Sequence, residues 1–204
     1  MRAQGRTSGR TKSTAGAGVQ ANARITASTA ALLFVLLAAE AVTILRVRGL
    51  LDEHVFIGML LVPPVVVKIA STGWRFACYY AGSPAYRRKG PPPALLRFLG
   101  PAVVVLTVVV LASGIALLLE PGSWRGWMLE LHKVSFILWL VVMTVHVLGH
   151  IRETARLAPA DWMRRTSRDL AGASGRRWLL VSTLVAGCLL GALMLGPTST
   201  YLSG

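Results

Sequence analysis

The sequence predicts an all-α membrane protein of five transmembrane helices. Three observations carry this. Hydrophobic residues make up 54% of the 204, and charged residues only 15%. The apolar residues gather into five runs, each near the roughly 20 residues that a helix needs to cross a bilayer. The formal net charge of +14 lies almost wholly between the runs, as topology demands, rather than within them. In lipid a backbone must satisfy its own hydrogen bonds, so each isolated run is expected to be a helix.

In chain order, residues 1–24 are Gly, Ser, Thr, Ala and Arg without apolar periodicity. They read as a disordered basic tail. No cleavable signal peptide is expected, because the first apolar run is long enough to be an anchor. That run, 25–45, is the first span. The second, 53–80, is longer than a bilayer requires, so its last two turns should emerge into solvent. Gly90-Pro91-Pro92-Pro93 is a stiff connector before the third span, 101–119. The fourth span is 131–151 and the fifth 178–195, followed by a short uncharged tail, 197–204. Trp124 and Trp127 in the third connection, and Trp74, Tyr79, Tyr80 and Tyr86 near the second, suit the membrane interface.

Loop charge sets the orientation. The tail carries Arg2, Arg6, Arg10, Lys12 and Arg24 with no acid, and the second connection Arg75, Arg87, Arg88, Lys89 and Arg97 with none. The fourth is also strongly basic, whereas in the first Arg46 and Arg48 balance Asp52 and Glu53. This predicts a multi-pass plasma-membrane protein with its N-terminus cytoplasmic and its C-terminus extracytoplasmic. The basic tail lacks interleaved aromatic residues, so the charge is not read as a nucleic-acid surface. The lipid bilayer is the expected partner. Cys78 and Cys188 form no CxxC motif, which argues against a disulfide, a zinc or iron–sulfur site, or covalently attached haem.

The chemistry centres on the fourth span, which carries His132, His146 and His150. Polar ionisable groups inside a membrane helix are costly and usually face the bundle interior. His132 and His146 are 14 residues apart, which leaves them about 40° apart on one face and separated by about 21 Å. One therefore lies near each membrane surface. The remaining histidine, His54, opens the second span. Spans two and four run in the same direction, so His54 and His132 share a depth. Two imidazoles from facing helices at one depth can clamp a porphyrin iron, and a bundle core is a usual place for such a group. The first four spans are therefore expected to form a haem-binding bundle, with His54 and His132 as iron ligands. Gly58, one turn beyond His54, gives room for a porphyrin or marks a close helix contact.

Lys68 stands 14 residues beyond His54, across Pro63-Pro64, which should kink the helix. It serves a haem propionate, a quinone carbonyl or, rarely, iron itself; otherwise it snorkels to the headgroups. His146 has no histidine partner at its depth. Either a second haem has an unusual or open sixth position there, or only the first exists. His150 reads as an interfacial hydrogen-bonding group. Glu40, inside the first span, is expected to pair with a cation, carry protons at a quinone site or make a structural hydrogen bond. Trp139 and Phe136 should pack in the bundle.

A histidine opening the second span, together with a pair 14 apart in the fourth, resembles the bacterial membrane cytochrome b subunits of formate dehydrogenase and nickel–iron hydrogenase. The stretches HVFIGMLLVPPVVVKIASTGWRFACYY and LHKVSFILWLVVMTVHVLGH look like small actinobacterial membrane proteins of this class. The likeness covers about residues 25–151. It implies that His54 and His132 hold haem b, and that His146 serves a second haem whose other ligand lies in the first span. No histidine stands there. The resemblance also implies electron transfer between a redox subunit, such as a molybdopterin oxidoreductase, and the quinone pool, without bond-making catalysis by the chain itself. Lys68, Arg75 and Glu40 then become candidates for propionate or quinone contacts. The alternative is a haem-free membrane subunit, or a small transporter, that uses the histidines for hydrogen bonding or a proton relay. Many transporters are built from internal repeats, and none is evident in this sequence.

Overall fold

The computed structural model describes residues 4–90, 94–119, 122–161 and 172–203. Helix α1 spans Gln4–Leu45, α2 Leu51–Tyr80, α3 Pro84–Lys89, α4 Ala94–Leu119, α5 Arg125–Leu157 and α6 Ala173–Ser203; a 3-10 turn, Ala158–Asp161, follows α5. There is no strand among the described residues. All of the helices except the short α3 contain a segment long and apolar enough to cross a membrane. The fold class expected from the five apolar runs is the one found.

Helix ends differ from the apolar runs. Residues 4–24, expected to form a structureless tail, are the first part of α1. The stretch lacks proline and contains repeated alanine, the best helix former. Its end is also tied to α2: Asn22 Nδ2 donates to Ser71 O at 3.1 Å, and Thr26 Oγ1 to Ser71 Oγ at 3.0 Å. Likewise α6 continues to Ser203 through the expected closing tail. Helices α4 and α5 begin at Ala94 and Arg125 rather than at 101 and 131. Hydropathy marks the part of a helix that suits lipid, while backbone hydrogen bonding continues beyond it. The connector residues 91–93 lie outside the described residues.

The helices form two layers. Helix α2 is the middle of a three-helix layer, packed by α6 and by α1, and α4 pairs with α5 as a hairpin. The layers meet chiefly along α1 and α5, and α2 touches α4 only slightly. An interior space is left between them. Residues such as Val35, Val66, Val108, Val141, Val185 and Leu193 are exposed on the outside, where lipid suits them. Buried positions include the polar Thr29, Glu40, Thr43, Ser71, Ser113 and Ser135.

Helix α2 runs through Pro63 and Pro64 without ending. Proline at 64 leaves the Leu60 carbonyl without its helical donor. The backbone of α6 lies against that carbonyl. A Cβ built on Gly187 would fall 2.7 Å from Leu60 O, and one on Gly191 2.6 Å from Phe56 Cδ2. Only glycine fits at such distances, and small residues are what allow membrane helices to approach this closely. The fifth span therefore braces α2 on the side away from the interior space.

Candidate functional site

The interior space is a cavity of about 1210 Å³ lined by α1, α2, α4, α5 and the turns beside them, with no residue from α6. It is larger than the roughly 300–1,000 Å³ of pockets that take drug-sized ligands. All four histidines line it: His54 and His132 toward one end, His146 and His150 toward the other.

The first end is built by a short turn. The N–H groups of Gly49 and Leu50 both donate to Arg46 O, at 2.9 and 3.1 Å, so α2 returns directly against α1. His54, in the first turn of α2, thereby meets Glu40 and Thr43 near the end of α1. Its Nδ1 lies 2.8 Å from Glu40 Oε1 and 3.2 Å from Thr43 Oγ1. The Thr43 hydroxyl is anchored on the Glu40 carbonyl at 2.7 Å and lies 3.3 Å from Glu40 Oε2. A carboxylate only accepts, so Nδ1 of His54 carries the proton. Glu40, the acid left open between a cation, a quinone and a structural bond, is thus the partner of a histidine.

On α5, His132 is held in the same way by α4. Its Nδ1 lies 3.0 Å from Val110 O and 3.1 Å from Ser113 Oγ. A carbonyl cannot donate, so this Nδ1 also carries its proton. Gly114 makes the space for the ring: a Cβ there would stand 3.1 Å from His132 Cε1. The histidine rings have centres 6.3 Å apart and planes inclined at 83°.

These features suit a metal ion held between the two rings. Histidines that bind metals usually donate their second nitrogen to a carboxylate or a backbone carbonyl, which fixes the ring and its tautomer. Here both Nδ1 atoms are so engaged, and among the described residues no hydrogen bond to either Nε2 is found. A metal–imidazole bond of about 2.0 Å, plus the distance from nitrogen to ring centre, puts two rings on opposite sides of one ion about 6 Å apart. Among the described residues no group of three or more His, Cys, Asp or Glu is placed to hold a bare ion. Two imidazoles beside a large apolar cavity instead suit an ion whose remaining ligands come from a macrocycle, as in haem.

The other end of the cavity is different. His146 Nδ1 is buried with no hydrogen-bond partner. The nearby imidazole is His150, one turn along the same helix, with ring centres 4.8 Å apart and planes inclined at 53°. His150 lies 3.8 Å from Glu153. Lys68 Nζ donates to Thr26 O at 3.1 Å, and Arg75, Tyr79 and Arg97 line the same end. Lys68 and Arg75 therefore share the cavity with His54 and His132 but not their end of it. Arg48, in the turn before α2, and Lys133, next to His132 in the chain, also line the cavity, and Lys133 pairs with Glu130 at 3.0 Å. Trp139 and Phe136 stack with ring centres 6.1 Å apart and line the wall between the two ends, with Trp139 Nε1 donating to Thr107 Oγ1 at 2.8 Å. Gly58 also lines the cavity, and a Cβ there would make ordinary contact with Glu40 Oε1 at 3.8 Å.

Sequence reasoning missed Thr43, Val110, Ser113 and Gly114. One signal was present: Ser113-Gly114 interrupts a run of large aliphatic residues in the third span near the depth expected for His132. No family model, curated protein or solved structure matches the chain.

Proposed function

We propose that this chain is a membrane cytochrome b-type subunit that passes electrons between a redox partner and the quinone pool. The observation that carries the reading is the pair His54 and His132. Both rings are fixed through Nδ1, both have Nε2 unengaged, and their centres lie 6.3 Å apart across an apolar cavity. In this reading they are the axial ligands of one haem b. The group would supply reversible one-electron transfer, and its potential would be tuned by the partners of the ligands and by burial.

The rest of the chain supports that group. Arg48 and Lys133 offer positive charge for the propionates at the His54 end. Gly58 and Gly114 leave room for the porphyrin face and for the ligand ring. Lys68, Arg75 and His146 furnish donors at the far end for a quinone or a second haem. Loop charge favours a plasma-membrane orientation with the N-terminus in the cytoplasm, which puts the His54 end toward the extracytoplasmic redox subunit. The redox subunit and the quinone in this reading come from the resemblance of the histidine pattern to formate dehydrogenase and hydrogenase cytochrome b subunits.

A reduced-minus-oxidised spectrum of the purified protein, with a pyridine haemochrome count, tests the proposal. The expected result is a b-type spectrum that is lost from both His54→Ala and His132→Ala. Protein that lacks a Soret band after haem-replete expression would be a haem-free subunit, and the proposal would fall.

A further inference from the structure

The two candidate ligands do not have equivalent partners. His132 donates its Nδ1 proton to a neutral group, the Val110 carbonyl, with Ser113 Oγ beside it. His54 donates to the carboxylate of Glu40 at 2.8 Å, and Glu40 is buried. The carboxylate is itself fixed. The Thr43 hydroxyl lies 3.3 Å from Oε2, and the Thr43 side chain is anchored to the Glu40 main chain. No lysine or arginine forms an ion pair with Glu40 among the described residues. A buried negative charge is expensive, and among the described residues its close donor is the ring N–H of His54.

We infer that Glu40 is a positioning residue that lends negative charge to His54 and thereby sets the redox potential of the bound haem. The inference rests on the proposed haem reading. Its physical basis is simple. A carboxylate that accepts the Nδ1 proton shifts electron density toward Nε2 and makes the imidazole a stronger donor. A stronger donor stabilises the more positive, oxidised iron. Negative charge in a medium of low dielectric acts in the same direction, because it favours the state with the extra positive charge. A carbonyl does neither to the same extent, so His54 is the ligand that sets the potential and His132 the one that serves mainly to hold the group. Asp52 and Glu53 on α2 precede His54 directly, yet among the described residues its ion pair is with Glu40. The charge arrives from α1 because the turn at 46–50 is short.

The test is potentiometric titration of the purified holoprotein, wild type and Glu40→Gln. Glutamine keeps the length and a hydrogen-bond acceptor but removes the charge. The expected result is full haem content, an intact low-spin bis-imidazole spectrum and a midpoint potential displaced to more positive values. Ser113→Ala, made at the other ligand, should shift the potential less. A Glu40→Gln protein with full haem and an unchanged potential overturns the inference and leaves the haem reading standing. A wild-type protein without haem overturns both. If Glu40→Gln does not accumulate, two milder variants carry the test. Glu40→Asp draws the carboxylate back from the ring and should raise the potential partway. Thr43→Val removes the hydroxyl oxygen that shares the Nδ1 proton with the carboxylate and should lower it. Unchanged potentials in both variants overturn the inference.

Discussion

The two ends of the cavity hold the same kind of side chain in opposite circumstances. At one end His54 and His132 come from different layers, and each has its Nδ1 proton taken by a group on a neighbouring helix. At the other, His146 and His150 sit on one helix, and His146 Nδ1 is buried without a partner. An imidazole with one nitrogen anchored is pre-oriented for a ligand. One with an orphaned nitrogen carries a desolvation penalty of roughly 1–3 kcal/mol until something fills the gap. The difference separates two imidazoles anchored across the layers from a lone, unpaired one. Lys68 and Arg75 belong with the second end, the depth at which spacing puts Lys68.

Substitution of the histidines should therefore give effects of opposite sign, and these are the largest expected. His54→Leu and His132→Leu should each abolish bound haem and lower thermal stability, since the first strands the buried Glu40 carboxylate and the second removes the link between α5 and Val110 O. His146→Leu should leave the haem at the first end in place. In protein prepared without haem it should raise the melting temperature, because it removes a buried unpaired nitrogen. The haemochrome count and the melting curve in detergent read both effects. A fall in stability of haem-free His146→Leu would mean that the nitrogen has a partner, and the contrast between the ends would fail.

The next effect concerns what holds His54 in place. Gly187 and Gly191 set α6 against α2, so a side chain at 187 meets the Leu60 backbone and one at 191 meets the Phe56 ring first. Gly187→Val should force the helices apart and cost about 1–3 kcal/mol, as overpacking does. The same displacement should move His54 relative to His132 and weaken haem retention. Dissociation of haem to apomyoglobin is the measurement. Equal loss rates for the variant and the wild type would show that α6 does not position the ligand.

Part of this arrangement is legible in the sequence. The five spans follow from hydropathy, and the common depth of His54 and His132 follows from two helices running in one direction. The helix ends are not legible, because tail residues 4–24 have too little apolar character to distinguish coil from an extension of α1. Nor is the pairing of Glu40 with His54, which depends on the rotation of α1 against α2. Spacing along one helix fixes angles within that helix but not its facing relative to another. That is also why Lys68, 14 residues beyond His54, could be placed in register with His146 while its actual acceptor, the Thr26 carbonyl on α1, went unseen.

The smallest effects distinguish two glycines that flank the first end. A methyl group at Gly114 would stand 3.1 Å from His132 Cε1, closer than an ordinary contact, whereas one at Gly58 would stand 3.8 Å from Glu40 Oε1. Gly114→Ala should push the His132 ring by a few tenths of an ångström and strain its bonds to Val110 O and Ser113 Oγ. Each such bond contributes about 0.5–1.5 kcal/mol, so the variant should keep its haem but lose it faster. Gly58→Ala should change haem retention little in either direction, because alanine also favours the helix by about 1 kcal/mol over glycine. The haem-loss rates of the two variants, compared side by side, decide the matter. If Gly58→Ala loses haem as fast as Gly114→Ala, the porphyrin lies closer to α2 than to α4, and the room it needs is provided by the helix that carries His54.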